Sequence, residues 1–449
     1  MAQHAAQGCS RAPIPNQMKL LRTPSSRVAN LWLGLLREIF LQDGEADGLA
    51  DVFFIGCGDN DPFGSRIGIT WWKSKRYRRL ERALALAIRH DMRVLTGISL
   101  NDFVCGISTT LRDNKLNRSL VRTLFAKSSV KTLHDAYSDN EPEQIAEALW
   151  QRYVRYVSTE LDSWLFLYPL ERVTTKNGSF ECGEFCILAQ SDRATYLRYC
   201  EDFPRLRSLD ITTGALGQDM CLSTKSPLSW LLIEGNGTGD SVLDSGKQRA
   251  SFFIGVLFSV IRIQSTVSPF TASSAEANGF VTAVSAGNSD YSFKGADRGP
   301  ILHALPRTID VSQGMLDVVS RWLNQCIAAA PSLRQRSETA AKWINHAALH
   351  RNHVRFLFFF FAIDALFGVR SGVERSIVNG VKSCMPGDWS QRCTWLFELR
   401  SELVHGGSAS INEWKRYEKY CTHFESDPQD DIEEIAATCL VYFYSDALA

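Results

Sequence analysis

The sequence predicts an α+β fold, in which a mixed α/β N-terminal region is followed by an all-α helical bundle. Strand-like and helical patterns alternate over residues 28–309, with turn residues between them. From residue 310 onward the pattern is almost continuously helical. The chain has 449 residues, of which 45% are hydrophobic and 22% charged, which is typical of globular proteins and excludes collagens, coiled-coil rods and wholly disordered chains.

The N-terminal part is predicted to contain a tail and an α/β region. Residues 1–27 are polar and include three prolines, so we expect a flexible tail. Region 28–139 shows, in order, an amphipathic helix, a strand, a second helix and a second strand. These elements are expected at residues 28–40, 52–55, 77–90 and 93–98, with a Gly-rich loop after the first strand.

The middle region, residues 140–309, is predicted to be a mixed α+β region with short strands. A helix is expected over 141–161, and a strand-like run follows it at 164–170. Two further short strands and one helix are expected at residues 183–189, 230–233 and 247–263. The Ser/Ala/Gly-rich stretch 268–292 is predicted to be a loop or flexible insertion.

The C-terminal region, residues 310–449, is predicted to be a helical domain. Helices are expected at residues 310–330, 337–367, 373–384, 389–405 and 431–449. Gly368 and Gly406 are the expected ends of the second and fourth helices, because glycine readily adopts the left-handed conformation that ends many helices.

The net charge is zero, with 49 basic and 49 acidic residues, so the protein as a whole does not attract nucleic acid or a membrane by its charge. Locally, six basic side chains lie close together and are interleaved with aromatic residues: Lys73, Lys75, Arg76, Arg78, Arg79 and Arg82. This pattern is typical of a nucleic-acid contact. An ordinary solvated start of a helix fits the charge pattern equally well.

The sequence also bears on location. The longest apolar run, residues 356–363, has eight residues, whereas a membrane-spanning helix needs about 20. We identify no signal peptide, and the twelve cysteines include no Cys-x-x-Cys pair. We therefore predict a cytoplasmic protein without membrane association, zinc or a disulfide framework.

Two further patterns point only weakly to a ligand. The Gly-rich loop 54–64 follows a strand, but its third glycine is misplaced for a dinucleotide-binding fingerprint and Pro62 blocks an immediate helix. His346, His350 and His353 lie on one face of the long predicted helix, but no carboxylate or cysteine accompanies them. We therefore predict neither a cofactor nor a metal ion.

The most informative position is Arg400, in the predicted helix 389–405. It lies in the middle of an apolar stripe that consists of Cys393, Leu396, Phe397, Leu403 and Val404. An unpaired buried charge costs several kcal/mol, so Arg400 requires a partner or a functional surface. One interpretation is a buried ion pair with Asp364, and the other is an anion-binding site.

Arg400 and His405 form an Arg-x4-His motif. Residues 298–303 and 416–423 match the looser Arg-x4-6-His pattern, but the first stretch contains Gly-Pro and the second is polar. His405 lies about 140° around the helix from Arg400. A phosphate held by the arginine, with the histidine as proton donor or acceptor, suits phosphodiester cleavage.

Three stretches resemble the HEPN domain family, specifically its Apea-like branch: residues 359–368, 374–375 and 399–406. The resemblance covers about residues 310–449. It implies a metal-independent endoribonuclease in which the motifs of two chains meet at a homodimer interface. In that scheme the 2′-hydroxyl of RNA attacks the adjacent phosphate and leaves a cyclic phosphate.

The resemblance assigns roles to four residues. Arg400 and His405 correspond to the catalytic pair, and Ser401 and Asp364 to supporting positions. Two departures are visible, because Gly407 stands where members paired with a nucleotidyltransferase have tyrosine, and serine follows the arginine where Asn, Asp or His is common.

The resemblance also implies a physiological role. Proteins of similar layout act as antiviral defence or abortive-infection effectors, so we expect a nuclease with an N-terminal sensing or binding region and a trigger such as a phage protein or a nucleotide. The alternative is a catalytically inactive HEPN domain that serves as a dimerisation or nucleotide-binding module.

Overall fold

The computed structural model describes most of the chain. The described part consists of residues 23–41, 50–56, 66–92, 100–112, 130–137, 140–160, 162–175, 178–209, 228–265, 268–270, 279–287, 293–297, 299–385 and 387–445. It contains α-helices together with a six-stranded sheet and smaller sheets, which confirms the α+β class. No helix in these ranges is long and apolar enough to cross a membrane.

The chain forms two compact units. The first contains the described residues up to Asp162 together with Asn236–Ser241, and the second contains Ser163–Gly235 and the described residues from Val242 onward. Most of the predicted tail and the strand expected at 93–98 lie outside the described residues, as does most of the Gly-rich loop.

The first unit combines helices with a small antiparallel sheet of strand order β1-β3-β2. Its elements are α1 (Ser26–Arg37), β1 (Ile39–Phe40), β2 (Ala50–Gly56), β3 (Arg66–Lys73), α2 (Tyr77–Asp91), α3 (Leu100–Leu111) and α4 (Pro142–Glu160). Ser25 begins α1 because its hydroxyl accepts a hydrogen bond from the N–H of Val28. The core includes Trp32, Trp150 and Tyr153, so α4 packs with the N-terminal helices.

The second unit begins with a six-stranded sheet of strand order β10-β9-β4-β8-β7-β6, beside which β11 pairs with β5 in parallel. Its strands are β4 (Asp162–Leu170), β5 (Val173–Thr175), β6 (Phe180–Cys182), β7 (Phe185–Ala189), β8 (Ser229–Gly237), β9 (Phe280–Ser285), β10 (Phe293–Asp297) and β11 (Ile309–Val311). Three helices accompany them: α5 (Arg193–Asp202), α6 (Leu206–Leu209) and α7 (Gly239–Gln264). The last two residues of β8 and the first three of α7 belong to the first unit.

One prediction for this sheet was wrong. The stretch 268–292, expected to be a loop, contains β9, which pairs with both β4 and β10. Val281, Ala283 and Val284 are completely buried. Because small and polar residues surround this short apolar segment, the turn-like composition concealed the strand.

The helical part of the second unit contains seven helices in the described residues. They are α8 (Gln313–Ala328), α9 (Pro331–Ala348), α10 (Asn352–Phe367), α11 (Val373–Cys384), α12 (Trp389–His405), α13 (Tyr417–Phe424) and α14 (Pro428–Tyr442). The predicted bounds of α11 and α12 are confirmed.

The single helix predicted over 337–367 was wrong. The structure has two helices, α9 and α10, joined by a short connection that ends at Asn352, whose φ is 53°. Asparagine tolerates this left-handed conformation, so the chain turns without a glycine or proline. As a result, His346, His350 and His353 do not share one helix face.

The sheet and the helical part share one core. Residues such as Phe166 and Phe253 belong to the same buried cluster as Phe359 and Leu396. The predicted boundary at 309/310 therefore falls inside a single compact unit, because burial joins the helices to α7 and the sheet.

Candidate functional site

The motif helix α12 ends directly after His405. Gly406 adopts φ of 78°, and its N–H donates a hydrogen bond to the carbonyl of Glu402. The N–H of Gly407 donates to the same carbonyl over 2.8 Å. These bonds satisfy a carbonyl of the last turn and end the helix, so His405 is its last residue.

The buried face of α12 differs from the predicted stripe. Cys393, Leu396 and Leu399 are completely buried, whereas Val404 is 47% exposed. Arg400 is half-buried, and at about 100° per residue its side chain leaves the helix between the directions of Leu396 and Cys393. Phe397 and Leu403 of the predicted stripe are partly buried against the core, so the stripe was wrong only at Val404, and the centre of the buried face lies about 45° from that of the stripe.

The guanidinium of Arg400 lies beside two aromatic rings. Its Cζ atom is 5.9 Å from the ring centroid of Phe360 on α10 and 5.8 Å from that of Phe397. The two rings contact each other edge to face, with centroids 5.4 Å apart. The Nε atom is shielded from solvent and has no hydrogen-bond partner. Cation–π contact thus holds the guanidinium without satisfying all of its donors.

The ion pair between Arg400 and Asp364 is absent, so this interpretation of Arg400 was wrong. Within the described residues, neither side chain makes an ion pair. The carboxylate of Asp364 extends over the end of its own helix, where it occupies the space that a Cβ at Gly368 would need. Packing against this glycine gives the aspartate a position that the sequence does not indicate.

The other two predicted site residues are accessible. Ser401 is half-buried and His405 is exposed. Arg400 and His405 are separated by about 7.5 Å along the helix axis and about 140° around it. No hydrogen bond joins them in the described structure, so one chain alone does not bring the guanidinium and the imidazole together.

A thiol on the motif helix offers no alternative nucleophile. Burial raises the pKa of Cys393 to about 12, so the thiol stays protonated at neutral pH. Within the described residues, no group of three or more His, Cys, Asp or Glu side chains is placed to hold a metal ion.

The basic segment of the first unit lies at the end of β3 and in α2. Lys75, Arg76, Arg78, Arg79 and Arg82 are exposed. Within the described residues, the four arginines make no ion pair. The first turn of α2 contains no acidic residue, although negative charge is favoured at a helix N-terminus.

The aromatic part of this prediction was mostly wrong. Trp71 and Tyr77 are each only 2% exposed and belong to the core, so they do not offer faces for stacking on bases. Lys73 is half-buried, and its Nζ atom lies 4.6 Å from the ring centroid of Tyr77. The segment therefore presents positive charge rather than aromatic rings.

The structure adds one residue that sequence reasoning missed. Arg89 is exposed near the end of α2 and makes no ion pair in the described structure. At about 100° per residue, Arg78, Arg79, Arg82 and Arg89 fall within an arc of about 100°. The spacing of eleven residues between the first and last of them was the available signal. We call this set of four arginines the basic face of α2.

Comparison with known proteins yields no relative for this chain. Protein-family models, curated proteins and solved structures all give no match.

Proposed function

We propose that this protein is a metal-independent endoribonuclease of HEPN type, with Arg400 and His405 as its catalytic pair. The observation that supports this proposal is the state of Arg400. Its guanidinium is kept in apolar surroundings, beside Phe360 and Phe397, without a carboxylate partner. An arginine that no carboxylate of the chain neutralises is what we expect of a residue that binds an anion.

The reaction follows from the two side chains. The 2′-oxygen attacks the adjacent phosphorus and loses its proton, the bond to the 5′-oxygen breaks, and that oxygen gains a proton. The products are a 2′,3′-cyclic phosphate and a 5′-hydroxyl end. Arg400 stabilises charge on the non-bridging oxygens and His405 transfers a proton, as its exposed position allows.

The geometry favours two chains per site. Because Arg400 and His405 diverge by about 140° on one helix, a phosphate that contacts both types of group is best enclosed by the motifs of two chains. We therefore propose a homodimer through the helical part. Ser401 orients the phosphate next to Arg400, and Asp364 on α10 is the supporting acidic residue.

The physiological proposal rests on the family resemblance. In it, the protein acts in the cytoplasm as an antiviral defence or abortive-infection effector that cleaves RNA after a trigger, either a phage protein or a nucleotide. The first unit serves as the sensing or binding region, and its basic face of α2 holds RNA.

The alternative proposal is an inactive HEPN module for dimerisation or nucleotide binding. The separation of Arg400 and His405 in one chain favours it, because such a chain holds an anion without cleaving it. The version of this alternative that relied on an Arg400–Asp364 bridge is excluded by the structure.

RNA cleavage in the presence of EDTA distinguishes the two proposals. We expect Arg400→Ala and His405→Ala each to lower the cleavage rate by about 10²- to 10⁴-fold, the range typical of charge stabilisation and general acid–base catalysis. Cyclic phosphate ends on the products would identify the mechanism.

Residues 416–423, which match the looser Arg-x4-6-His pattern, provide a matched control. Arg416→Ala with His423→Ala should leave the rate unchanged, because Arg416 pairs with Glu398 and His423 stacks on Trp395. Intact RNA with folded wild-type protein, or equal rates for all variants, would exclude the nuclease.

A further inference from the structure

Three cysteines lie close together where helices α11, α12 and α14 contact one another. Cys384 is the last residue of α11, Cys393 lies near the start of α12, and Cys439 lies in α14. Cys393 and Cys439 are completely buried in the common core, whereas Cys384 packs against that core and is half-buried. One partly accessible thiol and two enclosed thiols therefore share this region of the core.

The thiols of Cys384 and Cys439 are direct partners. The S–H group of Cys439 donates a hydrogen bond to the sulfur of Cys384, and both thiols are free. Three other thiols of the second unit have oxygen partners: Cys182 with Ser320, Cys326 with Ser337, and Cys421 with Tyr417. The contact between Cys384 and Cys439 places two sulfur atoms where a small movement brings them to the bonding distance of a disulfide, about 2.05 Å.

The surroundings make Cys384 the more reactive thiol of the pair. The hydrogen bond from Cys439 lowers the pKa of Cys384, and a hydrogen bond with Ser383 lowers it further, although burial opposes the shift. Burial raises the pKa of Cys439 well above its usual range, so that thiol keeps its proton. A peroxide oxidises most readily a thiol that is partly accessible, has a lowered pKa and lies beside a second cysteine.

The position of Cys384 permits the movement that a disulfide requires. Cys384 ends α11, and the next residue, Met385, is already extended, with φ of −133°. The last carbonyl groups of a helix have no partner within it, so helix ends adjust at little cost. Cys439 lies inside α14, so we expect Cys384 to move toward it.

We propose that Cys384 and Cys439 form a disulfide when a peroxide oxidises the protein. The Cys384 thiolate attacks one oxygen of hydrogen peroxide, the O–O bond breaks, and the departing hydroxide takes up the proton of the original thiol. The sulfur of Cys439 then attacks the sulfenic acid: the S–S bond forms, the S–O bond breaks, and the released hydroxide takes the proton of Cys439. The two thiols lose two electrons, and the peroxide is reduced to two molecules of water.

The disulfide closes a ring of the chain that contains the whole of α12. Residues 385–438 lie inside this ring and include Arg400 and His405. Joining the ends of so long a loop restricts the unfolded chain, so the oxidised form is the more stable one. In a reducing cytoplasm such a disulfide forms only transiently, under oxidation. The modification goes beyond the proposed cleavage and does not require it.

Peroxide treatment of the full chain tests the proposal. After hydrogen peroxide and alkylation of the remaining thiols, mass spectrometry of a non-reduced digest should show a peptide pair linked through Cys384 and Cys439, which dithiothreitol should separate. The midpoint of thermal unfolding should rise by about 5–15 °C on oxidation. Cys384→Ser should abolish both effects, whereas Cys393→Ala, the control at the third thiol, should form the link as wild type does.

Cys439→Ala separates the two chemical steps. Without the second thiol, oxidation of Cys384 should stop at the sulfenic acid, which labelling with dimedone detects by mass. A link from Cys384 to Cys393 in its place, wild type without the Cys384–Cys439 link, or an equal rise of the unfolding midpoint in Cys384→Ser would overturn the proposal. Circular dichroism before oxidation verifies that each variant is folded. If Cys439→Ala does not fold, the half-buried Cys384→Ser still decides the outcome.

Discussion

At the residue scale, two half-buried arginines of the motif helix differ in the partners of their guanidinium groups. Arg392 donates to Asp388 and Asp431 and to the carbonyl of Phe424. Arg400, two turns later, has two aromatic rings and a shielded Nε atom without a partner. A cation–π contact contributes about 0.5–2 kcal/mol, while an unsatisfied buried donor costs about 1–3 kcal/mol. Arg400 therefore adds little to the stability of the chain.

The first prediction concerns this difference. Arg400→Met should leave the free energy of unfolding unchanged or raise it by roughly 1 kcal/mol, because methionine fits beside aromatic rings and removes the unsatisfied donor. The same change should abolish RNA cleavage. Urea denaturation followed by fluorescence measures the stability.

Arg392→Met is the matched control. It leaves Asp431 buried without its cation and should lower the free energy of unfolding by about 3–5 kcal/mol. Equal destabilisation by the two substitutions would mean that Arg400 is a structural residue after all.

The sequence identified Arg400 as anomalous, but not its surroundings. A charge inside an apolar helix is a local pattern and is readable without a structure. Whether Asp364 faces it depends on side-chain direction, and here Gly368 leaves room for the carboxylate to fold over the end of α10.

At the scale of elements, α2 breaks a rule of helix electrostatics. Its N-terminal turn carries arginines and no acid, so its charges oppose the helix dipole. Nothing in the described part of the first unit neutralises the basic face of α2. The charge pattern of α2 therefore favours the binding of an anionic partner and does not favour the stability of the helix.

The second prediction tests that face. Arg78→Gln, Arg82→Gln and Arg89→Gln combined should weaken RNA binding about tenfold and lower the slope of log affinity against log salt by about two, since each single-strand phosphate contact contributes about 0.7. Fluorescence anisotropy with labelled RNA over a salt series measures both quantities.

A second triple variant controls for total charge. Arg193, Arg205 and Arg207 are exposed arginines of the second unit, and their replacement by glutamine removes the same charge. If both triple variants weaken RNA binding equally, the loss of affinity is caused by the lower net charge and not by the arginines of α2.

Elements with strong local signals were predicted well. The helices α11 and α12 begin and end at the predicted residues, because amphipathic spacing and Gly406 are local features. The strand β9 was missed because its six residues lie in a stretch of small residues. Only their pairing with β4 and β10 makes them a strand. The break before α10 was missed because neither glycine nor proline marks it.

At the scale of the whole molecule, the proposed active site requires a second copy of the chain. Within one chain, Arg400 is half-buried on one side of α12 and His405 is exposed about 140° away. A C2 dimer would place two identical motifs around one phosphate.

The third prediction follows from this arrangement. When wild type is mixed and equilibrated with a ninefold excess of Arg400→Ala chains, activity per wild-type chain should fall to about one tenth, because most wild-type chains then pair with an inactive partner. An RNA cleavage assay after re-equilibration of the mixture measures this.

The active variant Arg416→Ala with His423→Ala is the control for mixing, and the same excess of it should give a total activity about ten times that of the wild-type chains alone, so that activity per active chain is unchanged. Unchanged activity in the presence of the Arg400→Ala chains would show that each chain cleaves RNA on its own.

Local sequence patterns were sufficient for the α+β class, for the bounds of the motif helix and for the anomaly of Arg400. These properties follow from periodicity, glycine placement and composition, which act over a few residues. Packing settled the rest: the common core of sheet and helices and the unpaired state of Arg400. Each of these joins groups far apart in the chain, and their contacts exist only after burial has fixed which side chains meet.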